Sequence, residues 1–311
     1  MNFFSNLLSN LHFYRNLHSI IDERLMANEL MTLSDFYEFQ ITRLSQFTTE
    51  SGISPERYDS AGRQLIVSLT SHGSRILKTN LAIETIMQGT VKPNRIILWL
   101  PEKEKTVSCF LQNQMKRGLE IRYVKDLGPH TKLIPVLQEF PEDIVITIDD
   151  DMFYRPDMVE NLLRAYLEDP LSIHANRVAV MTKDRSGKLE SYLKWKQYLH
   201  PEFTTKRNVI IGCEGCLYPP HSLSDEVFNA EVFRDICPTA DDIWFTAMAL
   251  LKGTSIVHVN SHYENGCAGG IMNLRMQGSG LVRLNENPEE CLNDRQIQQV
   301  FGRYNLYAAI G

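Results

Sequence analysis

Long apolar runs are missing from this chain. No stretch approaches the roughly 18 uncharged apolar residues that a membrane-crossing helix needs, so a spanning segment is not expected. Basic runs are missing too: the net charge is −6 and lysines and arginines are dispersed, which argues against a broad nucleic-acid footprint. The start, Met1-Asn2-Phe3-Phe4, has neither the basic opening nor the small-residue cleavage site of a secretory leader. The six cysteines, Cys109, Cys213, Cys216, Cys237, Cys267 and Cys291, are scattered through 311 residues rather than packed into a short frame. A disulfide scaffold is therefore not expected, and the composition reads as that of a protein in a reducing, cytoplasmic compartment. Internal repeats and low-complexity tracts are absent, as are the dinucleotide-binding glycine fingerprint and the Walker-A pattern.

What is present is 43% hydrophobic content, enough for one large core or two smaller ones. Phe3, Phe4, Leu7, Leu8, Leu11, Tyr14, Leu17, Ile21 and Leu25 recur at helical spacing, which predicts an amphipathic helix over 2–26. Such a helix can dock on the protein's own core, on a partner, or peripherally on the inner face of a membrane; few lysines and arginines favour the first two. A second helical pattern covers Ser34–Phe47, and Thr48–Pro55 reads as a linker. Residues 1–60 thus read as an N-terminal helical extension and residues 61–311 as the main domain.

Beyond residue 63 short apolar strands alternate with helices. Strands are expected at Leu65–Thr70, Arg95–Leu100, Leu119–Val124 and Ile144–Ile148, and later at Ser255–Val259. Helices are expected at Arg75–Gln88, Val107–Arg117, Lys132–Glu139 and from Arg155-Pro156 to Leu167. This order predicts an α/β fold with a mostly parallel mixed sheet flanked by helices. In such sheets ligands bind beyond the carboxyl ends of the strands, where both Thr70-Ser71-His72-Gly73 and Asp149-Asp150-Asp151 fall.

The aspartate triplet is the strongest chemical signal. Adjacent carboxylates raise one another's pKa, and burying them without a counter-charge is costly. A hard cation such as Mg²⁺ or Mn²⁺ resolves that cost; the alternative is an acidic turn that caps the next helix. Asp241-Asp242 opens a second helical pattern, where the macrodipole stabilises anions. That pair is either a plain N-terminal acid pair or the source of a general base. Lys132 reads as a phosphate or base contact, or as a solvated surface lysine. The Cys213/Cys216 spacing lacks a second pair for zinc, and Pro219-Pro220 forbids the helix that a thioredoxin-like motif needs. His258 and His262 follow a strand and are structural or complete a metal shell. Gly266–Gly270 and Gly278–Gly280 mark a segment that could cover a ligand.

Ser68-Leu69-Thr70-Ser71 with Arg75, Lys132 in its Gly-Pro-x-x-Lys-Leu setting, Asp149–Asp151, Gly215-Cys216-Leu217-Tyr218 and Ala240-Asp241-Asp242 occur in one order. Over about residues 63–265 this set resembles the GT-A-type nucleotide-sugar glycosyltransferases, especially bacterial family-2-like enzymes of surface-polysaccharide assembly. The resemblance implies a GT-A (Rossmann-like) fold, a nucleotide-sugar donor (a UDP-sugar by preference), a Mn²⁺ or Mg²⁺ ion, and a glycan or lipid-linked glycan acceptor. It places Thr70, Ser71, Arg75, Asp126, Lys132, Asp149 and Asp150 at the nucleotide-sugar. It places Asp151, Asp149 and His262 at the metal, Gly215 and Cys216 at the acceptor, and Asp242, with Asp241 sharing or exchanging its role, at the catalytic base. It also implies transfer with inversion. Cys216 stands where the family usually has glycine, and Asp241 where glutamate is commoner. The rival expectations are a metal-dependent nucleotidyltransferase or phosphohydrolase and a non-catalytic scaffold docking partners through its N-terminal helices.

Overall fold

The computed structural model describes residues 33–105, 107–198, 206–259, 269–273 and 281–311. The helix expected over 2–26, His262 and most of the two glycine-rich stretches lie outside them. Helix α1 spans Leu33–Leu44 and reaches the main domain where Arg43 donates to the Gln88 side chain at 3.2 Å. Among the described residues no helix is long and apolar enough to cross a membrane.

The central sheet has seven strands: β1 (Leu65–Thr70), β2 (Arg95–Pro101), β3 (Leu119–Val124), β4 (Ile144–Thr147), β6 (Ile173–Ala175), β10 (Cys216–Tyr218) and β11 (Ile256–His258). Their spatial order is β11-β6-β10-β4-β1-β2-β3. All neighbours run parallel except β10, which is antiparallel to both β4 and β6. The mostly parallel mixed sheet expected from the sequence is the sheet observed. Its strands are apolar on both faces because helices cover both. Leu65, Val67, Leu69, Ile144 and Ile146 point into one core, which α2 (Asn80–Met87) and α5 (Met158–Glu168) close. Ile66, Trp99 and Val145 point into the other, which α7 (Asp241–Lys252) and α8 (Leu292–Tyr304) close. The other elements include α3 (Cys109–Met115), α4 (Ile134–Glu139), α6 (Ala230–Ile236), a single helical turn at Val282–Asn285 and two small sheets. The first joins β5 (Met152–Tyr154) to β12 (Gly270–Met272); the second orders β8 (Lys196–Tyr198), β7 (Val178–Val180) and β9 (Asn208–Ile210) as β8-β7-β9.

Three local expectations are revised. The stretch Thr48–Pro55 is fastened rather than a loose linker: the buried Arg117–Glu84 ion pair (2.8 Å) also donates from Arg117 Nε to the Glu50 carbonyl. Asn94 adds two bonds to the carbonyls of Ser54 and Glu56. Pro156 does not open a helix. The backbone stays extended through Arg155, whose N–H donates to the Gly269 carbonyl, and α5 begins at Met158. The helix expected over Arg75–Gln88 is split into a 3₁₀ turn, Gly73–Leu77, and α2; the N–H groups of Lys78 and Thr79 both return to the Arg75 carbonyl.

The reversal of β10 decides where the site forms. Because it runs antiparallel to β4, its first residue, Cys216, lies opposite Thr147, the last residue of β4. The 3₁₀ turn before it, Gly212–Glu214, is thereby carried to the strand end that bears the aspartates.

Candidate active site

The triplet leaves β4 in three directions. Asp150 is buried and accepts from Ser71 Oγ at 2.6 Å and from Arg75 Nε at 3.0 and 3.1 Å. The Arg75 guanidinium also reaches Asp151 at 3.0 Å. Burial would lower the affinity of Arg75 for its proton, but Asp150 and Asp151 outweigh it and the shift is upward. Asp149 instead pairs with Lys132 Nζ at 2.7 Å, while its backbone N–H donates to Tyr154 Oη at 2.7 Å. The Tyr154 hydroxyl in turn donates to the Cys213 carbonyl at 2.8 Å, tying the triplet to the Gly212–Glu214 turn.

Lys132 is almost fully buried, and its ammonium also lies 2.9 Å from Asp241 Oδ2 at the N-terminus of α7. Its backbone is held from the middle of β1, where Ser68 Oγ donates to the Lys132 carbonyl (2.5 Å) and accepts from the Trp99 indole (2.9 Å). Burial opposes the charge, yet Asp149, Asp241 and Asp242 together hold the ammonium well above the usual lysine range. A residue that by itself reads more readily as a solvated surface lysine is thus the bridge between the two acidic clusters.

Asp242 turns toward the same space. Its Oδ2 accepts from the Gly212 N–H at 3.0 Å, and its Oδ1 is buried without a hydrogen-bond partner among the described residues. Burial, then the charge of Asp241, push its carboxyl up to about 7, against the pull of Lys132. A carboxyl poised there can exchange a proton with a hydroxyl near neutral pH. Gly212 makes this packing possible, since a Cβ on it would lie 2.7 Å from Asp242 Oδ1. Behind the pair, the buried His130 ring stacks on Phe233 at 4.3 Å, and burial pulls it down to about 4, so it stays neutral.

Tyr192 feels the charges of Glu286, Asp242 and Arg177. Burial raises the Tyr192 phenol, and the charges of Glu286 and Asp242 add to that rise. Arg177 pairs with Glu214 at 3.4 Å and acts electrostatically on Tyr192 and Glu286. Tyr154, Tyr192, Arg177 and Glu286 carry no sequence signal of their own; they come from four separate segments of the chain.

Ser71 and Arg75 thus contact Asp150, Arg75 also contacts Asp151, and Lys132 joins Asp149 to Asp241, while Asp242, the next residue, is held by the Gly212 N–H. Thr70 sits at the same strand end, but its hydroxyl is committed to the Trp99 carbonyl at 2.9 Å. Asp126 is exposed on the rim and closes a local turn by accepting from the Gly128 N–H. Gly215 lies on the edge with φ +99°, and a Cβ there would meet Met158 Sδ at 2.8 Å. Cys216, expected at the acceptor, departs from that reading: strand pairing on both sides turns its thiol into the core, fully buried, out of reach of a ligand in the crevice. His258 is buried at the end of β11 with Nε2 3.1 Å from the Asn176 carbonyl.

The donor chemistry fits a hard dication. Burial above all, and then the neighbouring Asp149, raise the Asp151 carboxyl to about 6 despite Arg75. Carboxylate oxygens are the ligands Mg²⁺ and Mn²⁺ prefer. Among the described residues no three acids, histidines or cysteines are already arranged as a ligand shell.

No family profile matches the chain, and no curated protein sequence matches it. Among solved structures it is similar to a CMP:2-keto-3-deoxy-manno-octonic acid synthetase complexed with CTP, at 12% identity over 64% of this chain and 90% of that one (TM-score 0.40). It is also similar to the mannosyltransferase PcManGT from Pyrobaculum calidifontis in complex with GDP-Man and Mn²⁺, at 11% identity over 82% and 65% (TM-score 0.40). A third is GalNAc-T7 with UDP, GalNAc and Mn²⁺, at 12% identity over 89% and 59% (TM-score 0.47). This chain spans less than two thirds of the length of the last two. Similarity of this depth leaves the chemistry to be argued from the residues of this chain.

Proposed function

We propose that the chain is a divalent-metal-dependent glycosyltransferase that moves a sugar from a nucleotide-sugar, a UDP-sugar by preference, to a glycan hydroxyl. The observation that carries this reading is the Lys132 bridge, 2.7 Å from Asp149 and 2.9 Å from Asp241. It unites an acidic cluster suited to a diphosphate-bound cation with a carboxyl suited to deprotonating an acceptor. Asp151, with Asp149, would hold the ion, which supplies neutralisation of charge on the departing diphosphate. Ser71 and Arg75 orient the triplet through Asp150. Asp242, fixed by the Gly212 N–H, takes the proton from the acceptor hydroxyl as it attacks the face opposite the leaving group, which inverts the anomeric centre. The resemblance of the motif order supports a place in surface-polysaccharide assembly on the cytoplasmic side of a membrane.

Two tests bear on this directly. Asp151→Ala is expected to abolish metal-dependent binding of UDP in calorimetric titration. UDP affinity that is the same with and without Mn²⁺ in the unaltered protein overturns the metal assignment. Gly212→Ala puts a methyl group against Asp242 Oδ1 and is expected to lower kcat by tens-fold while KM for the donor stays within about twofold, since a small misplacement of a catalytic group costs about that much. Product analysis separates the rival enzyme class: sugar transfer releases nucleoside diphosphate, whereas nucleotidyl transfer releases pyrophosphate.

A further inference from the structure

Strand β5 leaves the aspartate turn and brings a tyrosine back onto it. The Tyr154 hydroxyl accepts from the Asp149 N–H at 2.7 Å and donates to the Cys213 carbonyl at 2.8 Å. These two backbone groups have opposite polarity and sit on different segments. A hydroxyl serves both at once, because it carries one donor and two acceptor sites. The phenol is buried, and burial above all holds its proton in place, well above the usual tyrosine range. The bond to Cys213 therefore keeps its donor.

The tyrosine itself is fixed from several sides. Its N–H donates to Thr85 Oγ1 of α2 at 3.3 Å, and the next N–H, that of Arg155, donates to the Gly269 carbonyl at 2.9 Å. Across the β5–β12 pairing Tyr154 faces Gly270. A Cβ there would come within 2.5 Å of the Phe153 carbonyl oxygen and 3.0 Å of Tyr154 Cα, so the two strands close only on glycine. The ring packs in the core that α2 and α5 cover. Backbone and ring are held by different elements, and the hydroxyl oxygen has one place to be.

What that oxygen joins is the two halves of the site. On one side, Asp149 presents its carboxylate to Lys132 at 2.7 Å. On the other, Cys213 lies in the turn Gly212–Glu214, whose first N–H holds Asp242 at 3.0 Å. The turn is closed by the Gly215 N–H on the Gly212 carbonyl, also at 3.0 Å. The link through Tyr154 runs between backbone atoms and is separate from the side-chain link through Lys132. We propose that Tyr154 is a positioning residue whose hydroxyl keeps the Asp149 backbone and the Gly212–Glu214 turn in one register, and so sets the separation between the metal-side acid and the base Asp242. The inference rests on the glycosyltransferase reading for what that register serves, whereas the two hydrogen bonds stand without it.

The experiment uses the full chain, Tyr154→Phe, which removes one oxygen and keeps the ring, and Thr85→Val, which withdraws the acceptor of the Tyr154 N–H and keeps the hydroxyl. Amide hydrogen exchange followed by NMR is expected to quicken at least about tenfold at Asp149 and at Gly212 and Gly215 in Tyr154→Phe. The Ile148 N–H, which donates to the Ser68 carbonyl at 3.1 Å, is expected to stay as it was. Mn²⁺-dependent UDP binding in calorimetry should weaken about tenfold and kcat should fall by at least as much, while UDP affinity without the metal stays within about twofold. Thr85→Val is expected to leave all of these within about twofold, whatever it does to the melting temperature. In the unaltered protein, the Asp149 and Gly215 amides should open together as denaturant is added, a test that needs no variant to fold. Exchange that quickens equally at Ile148, exchange unchanged at Asp149 and the turn, separate opening of the two amides in the unaltered protein, or a Thr85→Val that reproduces the losses each overturns the proposal. Loosened amides with kcat and metal dependence intact overturn it too. Absence of UDP binding by the unaltered protein would remove the glycosyltransferase reading, and the exchange measurements would still decide whether the hydroxyl holds the two segments together.

Discussion

Asp242→Asn is expected to remove sugar transfer by about 10²–10⁴-fold while donor binding stays within about twofold, because a positioned general base contributes on that order and an amide cannot take the proton. The neighbouring contacts survive the change. Asn retains an oxygen to accept from the Gly212 N–H, and Lys132 keeps Asp149 and Asp241. Equal loss of transfer and donor affinity in calorimetry and turnover assays would show that Asp242 is a binding residue instead. The unaltered enzyme should show an acid limb in kcat near pH 7, where burial and Asp241 place the carboxyl. The same carboxyl gives stability a definite sign of pH dependence. Its folded value lies above the unfolded value near 4, so between these limits the folded state binds the additional proton and stability falls as pH rises. In Asp242→Asn that slope should flatten, and thermal melts at pH 8 should show the variant at or above the melting temperature of the unaltered protein. An inactive but stabler variant is what a strained, desolvated catalytic carboxylate implies.

Much of this was legible in the sequence because burial on both faces leaves a plain mark. Ile144–Ile148 and Leu65–Thr70 are apolar without alternation, which a two-sided parallel sheet requires, and Asp149–Asp151 ends one of them. The helical spacing from Ile243 onward placed Asp241 and Asp242 in a first turn, where α7 has them. Short-range pattern failed where long-range contact decides the outcome. Strand β10 has only three residues, too few for periodicity to reveal its direction, yet its reversal brings Gly212 to the site and its pairing on both sides turns Cys216 inward. Lys132 sits in a loop-like Gly-Pro-His-Thr setting with no apolar periodicity of its own. Nothing local distinguishes it from a solvated lysine until Ser68 and Trp99 fix its carbonyl. The strap over Thr48–Pro55 is likewise held by partners more than thirty residues away, Asn94 and Arg117.

Lys132→Met should be the most destabilising single change at the site. The methionine side chain fills similar volume, so the loss is electrostatic: Asp149 and Asp241 lose an ammonium at 2.7 and 2.9 Å, and Asp242 loses the charge that restrains its carboxyl. Breaking a buried pair by removing one partner costs roughly 3–5 kcal/mol, which for a chain of this size corresponds to a fall of about 10 °C in melting temperature. The deficit has a pH signature. Without the lysine the Asp242 carboxyl, already raised to about 7, loses the charge that holds it down, so the variant should lose most stability above pH 7 and regain part of it toward pH 5. Adding Asp241→Asn should recover part of the deficit, and the coupling in that double-mutant cycle measures the Lys132–Asp241 contact. A cycle that is additive, or a loss independent of pH, would mean that Lys132 acts through packing alone. A large coupling would mean that one buried ammonium fixes the geometry between the acids of the donor half and the base of the acceptor half. Transfer and folding stability would then depend on the same residue.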